Sequence, residues 1–355
     1  MVTIPRADKV LRALEAFLRR ATGREGLRVA FGLERITGGF DTAIYGFRLE
    51  GAPDALSGAL VLRLFRDAGQ GRRARGEAAV HDVLASNGFP TPGMLVDTVG
   101  ATILDRPFLI MKRLRGRPLL AVFSADPAGT AETAGALLGE TQARLHGLPM
   151  PAMEQAFIEA GVDMAACTPF QLLADIDRLA RATGDDMLTA LGGWLEVRRP
   201  RPPSVSALCH GDFHPGNIMV HGMSISGVID WANFVFGHPE YDIAATRFVL
   251  STAAIESGSD QEQLGITRQR FVAAYDAAYQ KVRPIDEDLV RYYLVLRAGR
   301  ALARVVASRY GNDIRGAAHD VYAWAQPAVY EAVRNLIRDE TGLDSGPLVM
   351  PDRVG

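Results

Sequence analysis

Between positions 210 and 231 the chain reads His-Gly-Asp-Phe-His-Pro-Gly-Asn-Ile-Met and then, after nine intervening residues, Ile229-Asp230-Trp231. Few folds accommodate that string. A loop containing Pro215 and Gly216 leads into an apolar strand, Ile218-Met219-Val220, and a second short strand, Ile225 to Ile229, delivers Asp230 at its end. Asp212 is a carboxylate able to hold an attacking hydroxyl. Asn217 and Asp230 offer one neutral and one anionic oxygen, which suits the hard-oxygen preference of Mg²⁺. Taken singly, Asp212 and Asn217 read as ordinary turn residues before a strand. Taken together with the strand-end acid, they fit phosphoryl transfer, in which positioning and charge neutralisation outweigh covalent chemistry.

The rest of the chain sets broad bounds. At 355 residues and 48 % hydrophobic it can build a substantial core in two lobes. A net charge of −2 gives no electrostatic case for a nucleic-acid partner. The two cysteines, Cys167 and Cys209, have neither metal-ligand nor disulfide-framework spacing, and Cys209 reads as a small buried apolar residue. Charges run throughout Met1 to Arg20 without an apolar secretory core, and no stretch approaches the roughly 18 apolar residues of a membrane span. The expectation is a soluble, cytoplasmic protein with no membrane partner; composition leaves the oligomeric state open.

Periodicity predicts an amphipathic first helix carrying Val10, Leu11, Leu14, Phe17 and Leu18. Strands follow over Leu27 to Leu33, Ile44 to Leu49 and Gly58 to Phe65, then a helix from Arg72 to Asn87 and strands near Met94 to Val99 and Phe108 to Met111. Beyond Leu119 helical patterns dominate, over 130–146, 169–183, 185–197, 242–257, 267–281, 286–310 and 317–339.

The motif string resembles that of the aminoglycoside phosphotransferase family, whose relatives include choline, homoserine and fructosamine kinases and macrolide phosphotransferases. The family pattern H-G-D-x-x-x-x-N, then I-D-W, then G-x-P-x-x-D, stands here as His210 to Asn217, Ile229 to Trp231 and Gly237 to Asp242. The resemblance implies an α+β, bilobal, protein-kinase-like fold. Residues 1–114 would form a nucleotide-binding N-lobe, and residues 115–355 a mainly helical C-lobe with the catalytic loop, metal site and acceptor-binding helices. It further implies that Asp212 is catalytic, that Asn217 and Asp230 bind metal, and that Asp242 supports the loop, whose backbone His210 is expected to help hold. The cofactors implied are Mg²⁺ and ATP, with GTP as the alternative.

By the same resemblance the Thr37 to Thr42 turn, with Gly38, Gly39, Phe40 and Thr42, covers phosphates; a plain hairpin turn explains it equally well. Arg63 stands where the family presents a lysine to the α- and β-phosphates, with Glu77 as its expected partner. Arginine is larger but can still fork to phosphate oxygens. A purely structural Arg63–Glu77 pair is the alternative. Met111 would back the adenine pocket, with backbone groups of Lys112 and Leu114 bonding the purine edge.

The acceptor, a small molecule bearing a hydroxyl, is the least legible part. A polycationic aminoglycoside needs carboxylates, for which Glu154, Glu159, Asp163, Asp175, Asp177, Glu256 and Asp260 are candidates. The insert from Met150 to Pro200 offsets its acids with Arg178, Arg181, Arg198 and Arg199. A quaternary ammonium would need an aromatic cage, and Trp231, Phe234, Phe236 and Tyr241 cluster in sequence. A protein kinase of unusual type is disfavoured, since H-R-D, D-F-G and A-P-E are missing. A non-catalytic nucleotide binder, suggested by Arg63, is opposed by the intact Asp212, Asn217 and Asp230.

Overall fold

Leu60, Leu62 and Leu64 are buried on one side of a strand while Val61, Arg63 and Phe65 face the other, and this alternation organises the first part of the molecule. The computed structural model describes residues 5–36, 42–96, 98, 100–252, 261–309 and 326–346. The chain divides into two compact units. One holds Met1–Arg117, Ala152–Val162 and Met219–Ala232; the other holds Pro118–Pro151, Asp163–Ile218 and Asn233–Gly355.

In the first unit, β1 (Arg28–Ile36), β2 (Thr42–Glu50), β3 (Leu60–Phe65) and β4 (Phe108–Lys112) form an antiparallel sheet in that order. Helix α1 (Ala7–Thr22) lays Val10, Leu14 and Leu18 on the face shared with Tyr45, Phe47, Leu62 and Ile110, and Phe17 meets Phe108 edge-on at 4.8 Å. Helix α2 (Gly71–Ser86) covers the opposite face, where Ala74 and Ala78 pack with Phe65, Leu109 and Met111. Of the strand expected near Met94 to Val99, residues 97 and 99 lie outside the described residues. Met94 bridges Met111, the Leu95 N–H donates to the Ile110 carbonyl (3.1 Å), and the Gly93 carbonyl just before them accepts the Lys112 N–H (3.5 Å). The short β5 (Arg117–Pro118) closes this stretch of chain.

The second unit is mainly helical: α3 (Leu119–Ala125), α4 (Pro127–His146), α6 (Gln171–Thr183), α7 (Asp186–Val197), α8 (Pro239–Thr252), α9 (Gln261–Gln280), α10 (Glu287–Arg309) and α11 (Pro327–Thr341). Helix α5 (Met150–Glu159) falls largely in the first unit. The sequence pattern missed α3 and α5, whose short lengths carry little periodicity. Helices α4 and α9 lie unusually close because Gly139 has no side chain; a Cβ there would sit 2.3 Å from the Tyr275 carbonyl oxygen. Strand β6 (Ala207–Cys209) pairs antiparallel with β9 (Val235–Gly237), while β7 (Ile218–His221) and β8 (Ser224–Val228) adjoin in a separate sheet. The β6–β9 pair puts His210, after one strand, near α8, which begins just after the other. Among the described residues no helix is long and apolar enough to cross a membrane.

Candidate active site

In the second unit, the carboxylate of Asp242, on the first turn of α8, is wholly buried beneath the loop that follows β6. Its two oxygens accept the backbone N–H of His210 at 2.9 Å and of Gly211 at 2.7 Å. His146, the last residue of α4, puts Nε2 3.1 Å from the same carboxylate, and its Nδ1 lies 2.8 Å from the Tyr279 hydroxyl of α9. Burial opposes ionisation of Asp242, but the His146 hydrogen bond and charge, the charge of His210 and the backbone bond outweigh it. Its carboxyl is held below the usual range. Gly211 itself sits at φ 78°, and a Cβ there would lie 2.0 Å from the Asn233 carbonyl, so the turn into Asp212 requires glycine.

A second chain of hydrogen bonds holds the other side of Asp212. The Thr246 hydroxyl, one turn along α8 from Asp242, lies 2.7 Å from the Phe213 carbonyl and 3.0 Å from that of Asp242, and accepts Gln142 Nε2 at 3.1 Å. Gln142 in turn accepts a hydrogen bond from the Tyr275 hydroxyl. Three helices thus each contribute a polar pair spaced by one turn: Gln142 and His146, Asp242 and Thr246, Tyr275 and Tyr279. They form two buried layers whose ends grip residues 210–211 and 213. The sequence pattern presents His146 only as a packing or capping residue and does not single out Gln142, Thr246, Tyr275 and Tyr279. The signal it does carry is the recurrence of buried-type polar residues four apart on otherwise apolar helix faces.

Between those grips Asp212 keeps about a third of its side chain open (31 %). His210 is fully buried and its Nδ1 accepts the Asp212 N–H at 3.2 Å. His214 accepts the Gly216 N–H on Nδ1 (3.0 Å), and its Nε2 lies 3.3 Å from Asn217 Nδ2 and 3.6 Å from the Asp212 carboxylate. Burial pushes the Asp212 carboxyl up, but the facing His214 ring, joined by the charges of Arg297 and His210, brings it down to about 2. Asn217 is buried, and its Nδ2 donates to the Asp212 carbonyl at 2.9 Å. With the amide nitrogen so committed, the carboxamide oxygen is turned elsewhere as a neutral donor.

The first unit brings Arg63, Glu77 and Asp230 together. Arg63 is 7 % exposed, with one guanidinium nitrogen 3.3 Å from Glu77 and the other 2.9 Å from Asp230. Glu77 is fully buried and shared with Arg73 at 3.3 Å. Burial holds its carboxyl above the usual range despite those two arginines. Asp230 has φ 65°, a left-handed conformation that aspartate tolerates better than most residues, and its side chain is 43 % exposed. The next residue, Trp231, is buried and bonds the Val228 carbonyl at 3.2 Å, anchoring that turn.

Arg63→Met should cost about 3 kcal/mol in thermal or denaturant unfolding, since it leaves Glu77 buried with a single cation. Glu77 would then protonate more readily, so the deficit should narrow between pH 8 and pH 5.5. A deficit that widens over that range would contradict the assigned pairing.

The remaining nucleotide-site candidates are distributed as follows. Thr42 begins β2, buried and paired with Phe65. Met111 lies in the core between sheet and α2, Lys112 is exposed and paired with Leu60, and the Leu114 side chain covers Gly227 of β8. Gly38, Gly39 and Phe40 lie outside the described residues. Of the aromatic candidates, Trp231, Phe236 and Tyr241 are buried. Asp175 is engaged by Arg178 at 3.1 Å and Asp163 accepts the Ala166 N–H at 3.1 Å; Glu256 and Asp260 lie outside the described residues.

A model of the phosphotransferase enzyme family matches residues 32–285. The chain is 29 % identical over 255 residues to acyl-CoA dehydrogenase family member 11 of Rattus norvegicus, covering 67 % of this chain and 32 % of that one. It therefore spans about a third of the length of the curated relatives it matches. Among solved structures, a putative aminoglycoside phosphotransferase from Ralstonia eutropha superposes with a TM-score of 0.60 at 18 % identity, covering 92 % of this chain and 97 % of the other. An aminoglycoside phosphotransferase in ternary complex with AMP-PNP and hygromycin B gives 0.53 at 19 % identity, covering 91 % and 98 %. A small antiparallel-sheet unit and a larger helical one, with this match across most of the sequence, place the chain in the phosphotransferase enzyme family, with the protein-kinase-like fold of those structures.

Proposed function

We propose that the protein is a Mg²⁺-dependent kinase that moves the γ-phosphoryl group of ATP to a hydroxyl of a small molecule. The observation that carries this reading is Asp212, ionised, partly open, and fixed by backbone grips on both sides. Asp212 orients the acceptor hydroxyl and takes its proton late in the transfer. The bond from the γ-phosphorus to the bridging oxygen breaks, a new bond to the acceptor oxygen forms, and ADP leaves. Arg63, steadied by Glu77, would contact the nucleotide phosphates. ATP as donor is supported by the AMP-PNP held by the structural neighbour described above.

By their chemistry Asn217 would offer magnesium a neutral oxygen and Asp230 an anionic one, and Mg²⁺ characteristically takes few protein ligands beside substrate phosphates. When bound, the ion would neutralise charge on the transferring phosphates. Among the described residues no cluster of three or more His, Cys, Asp or Glu side chains offers an all-protein metal cage, a different kind of site.

The test is a coupled ADP-release screen with aminoglycosides, macrolides, choline, homoserine and sugar amines. A hydroxyacyl coenzyme A joins the panel because the curated relatives are named for acyl-CoA dehydrogenases. Acceptor-dependent ADP release that needs Mg²⁺ is the expected result. Nucleotide binding without transfer to any member would favour the non-catalytic alternative.

A further inference from the structure

Asp212 feels the charge of Arg297, which is of the wrong sign for binding a polycation beside it. Helix α10 carries Arg297 and Arg300, spaced to lie on one face. Arg297 donates to the Tyr241 hydroxyl at 3.4 Å and holds its guanidinium carbon 5.9 Å from the ring centroid. Tyr241 is buried, and burial raises its phenol, so it offers Arg297 no negative charge. Tyr241 immediately precedes Asp242, the residue that grips the loop at Gly211. Arg297 also acts electrostatically on Asp212.

Arg300 is balanced weakly. Its Nε is closed off from solvent and has no hydrogen-bond acceptor among the described residues. The Asp175 carboxylate is 3.7 Å from that nitrogen, beyond hydrogen-bond reach, and is already bonded to Arg178 at 3.1 Å. Burial and the repulsion of Arg297 both weaken the hold of Arg300 on its proton. Buried donors lacking acceptors are uncommon in folded proteins and call for a reason. Two like charges one turn apart, one bonded to a neutral phenol and the other facing a shared carboxylate at 3.7 Å, leave a positive surplus on this face of α10, and its Arg297 end acts on Asp212.

We infer that Arg297 and Arg300 form the subsite for an anionic group of the acceptor, so that the compound phosphorylated is a hydroxyl carrying a carboxylate or phosphate. This rests on the kinase reading above and narrows its acceptor. An arginine fork matches both anions in geometry, while ammonium groups would be repelled. The alternative is that Arg297 only steadies Tyr241 and Arg300 only pairs with Asp175.

Matched acceptors separate these readings. The wild-type enzyme is assayed for ATP-dependent phosphorylation of 4-hydroxybutyrate against 4-aminobutanol, and of glycerate against 3-aminopropane-1,2-diol. Glycerol phosphate and a hydroxyacyl coenzyme A form the phosphate arm, and kanamycin the polycation control. Anionic members should be the better substrates, and the two anionic arms show whether carboxylate or phosphate is bound. Arg297→Gln should raise KM for the anionic acceptor about ten- to a hundredfold, with a smaller change in kcat. Arg297→Lys should recover part of the loss, and Arg300→Gln should act in the same direction if the Arg297 variant folds poorly. Preference for the amine members, idle anionic members beside active neutral ones, or an unchanged KM in folded Arg297→Gln and Arg300→Gln enzymes would overturn the inference and leave the kinase reading standing. Absence of nucleotide turnover with every acceptor would remove the kinase reading, and the inference with it.

Discussion

Asp212→Asn is expected to lower the rate of phosphate transfer by about 10²–10⁴-fold while leaving ATP affinity near the wild-type value. The amide keeps the size of the side chain, and the grips on residues 210, 211 and 213 do not involve it, so the loop should keep its course. In the role proposed for Asp212, what disappears is the negative charge that would orient the acceptor hydroxyl and the site that would take its proton. Steady-state kcat with a responsive acceptor, set beside a nucleotide titration of the same variant, separates that loss from a binding defect. The pH profile adds a second check. Because the Asp212 carboxyl lies at about 2, it is ionised throughout the range in which the enzyme would be assayed, and the rate should show no acid limb from this group above about pH 4. Its ionised form contributes stability above the ordinary value of 3.8, which is lost as pH falls through the depressed folded value. A limb near neutrality that vanished in the variant, or a variant retaining most of its rate, would remove Asp212 from its assigned role.

Residues whose role is carried by local backbone geometry are legible in the chain's own pattern. The His210 to Asn217 string implies a turn because it contains Gly211, Pro215 and Gly216, and the structure gives Gly211 a positive φ against a carbonyl that excludes any side chain. The alternation around β3 likewise places Arg63 opposite the leucines and therefore toward α2. Partnership over long separations leaves no such mark. Glu77, fourteen positions on from Arg63, is the partner expected from the motif, yet the shorter ion pair goes to Asp230, 167 residues away. Gln142 and Tyr275 are ordinary helix residues by pattern, and gain their role only because α4 and α9 approach through Gly139. Near Met94 to Val99 alternation alone is a weak signal, since a strand needs a neighbour that continues to pair; among the described residues the contacts with β4 there are made by Gly93, Met94 and Leu95.

Asp242→Asn should destabilise the protein by about 3–5 kcal/mol at neutral pH, the scale for leaving buried charged partners uncompensated. An aspartate in this position accepts from His210 N, Gly211 N and His146 Nε2 at once. An asparagine must turn its own N–H₂ toward at least one of these donors, so a buried N–H loses its acceptor and another is opposed. The loss should appear as a lower Tm with one cooperative transition, because the clamp joins α4, α8, α9 and the loop in a single network. Thr246→Val interrupts only the neighbouring chain to Phe213 and should cost about 1–2 kcal/mol. The acid dependence has a definite sign. With its folded pKa depressed, the Asp242 contribution is complete above the unfolded value of 3.8 and drains away as pH falls through the lower folded value. The gap between wild type and Asp242→Asn should therefore hold constant from pH 8 to pH 5 and close only in stronger acid. Tyr279→Phe tests the far end of the same clamp. It removes the hydroxyl that meets His146 Nδ1, and in a double-mutant cycle with Asp242→Asn the two effects should fall short of additivity by about 0.5–3 kcal/mol. Strict additivity would mean that the His146 link does not transmit the restraint of α9 to the loop at 210–213.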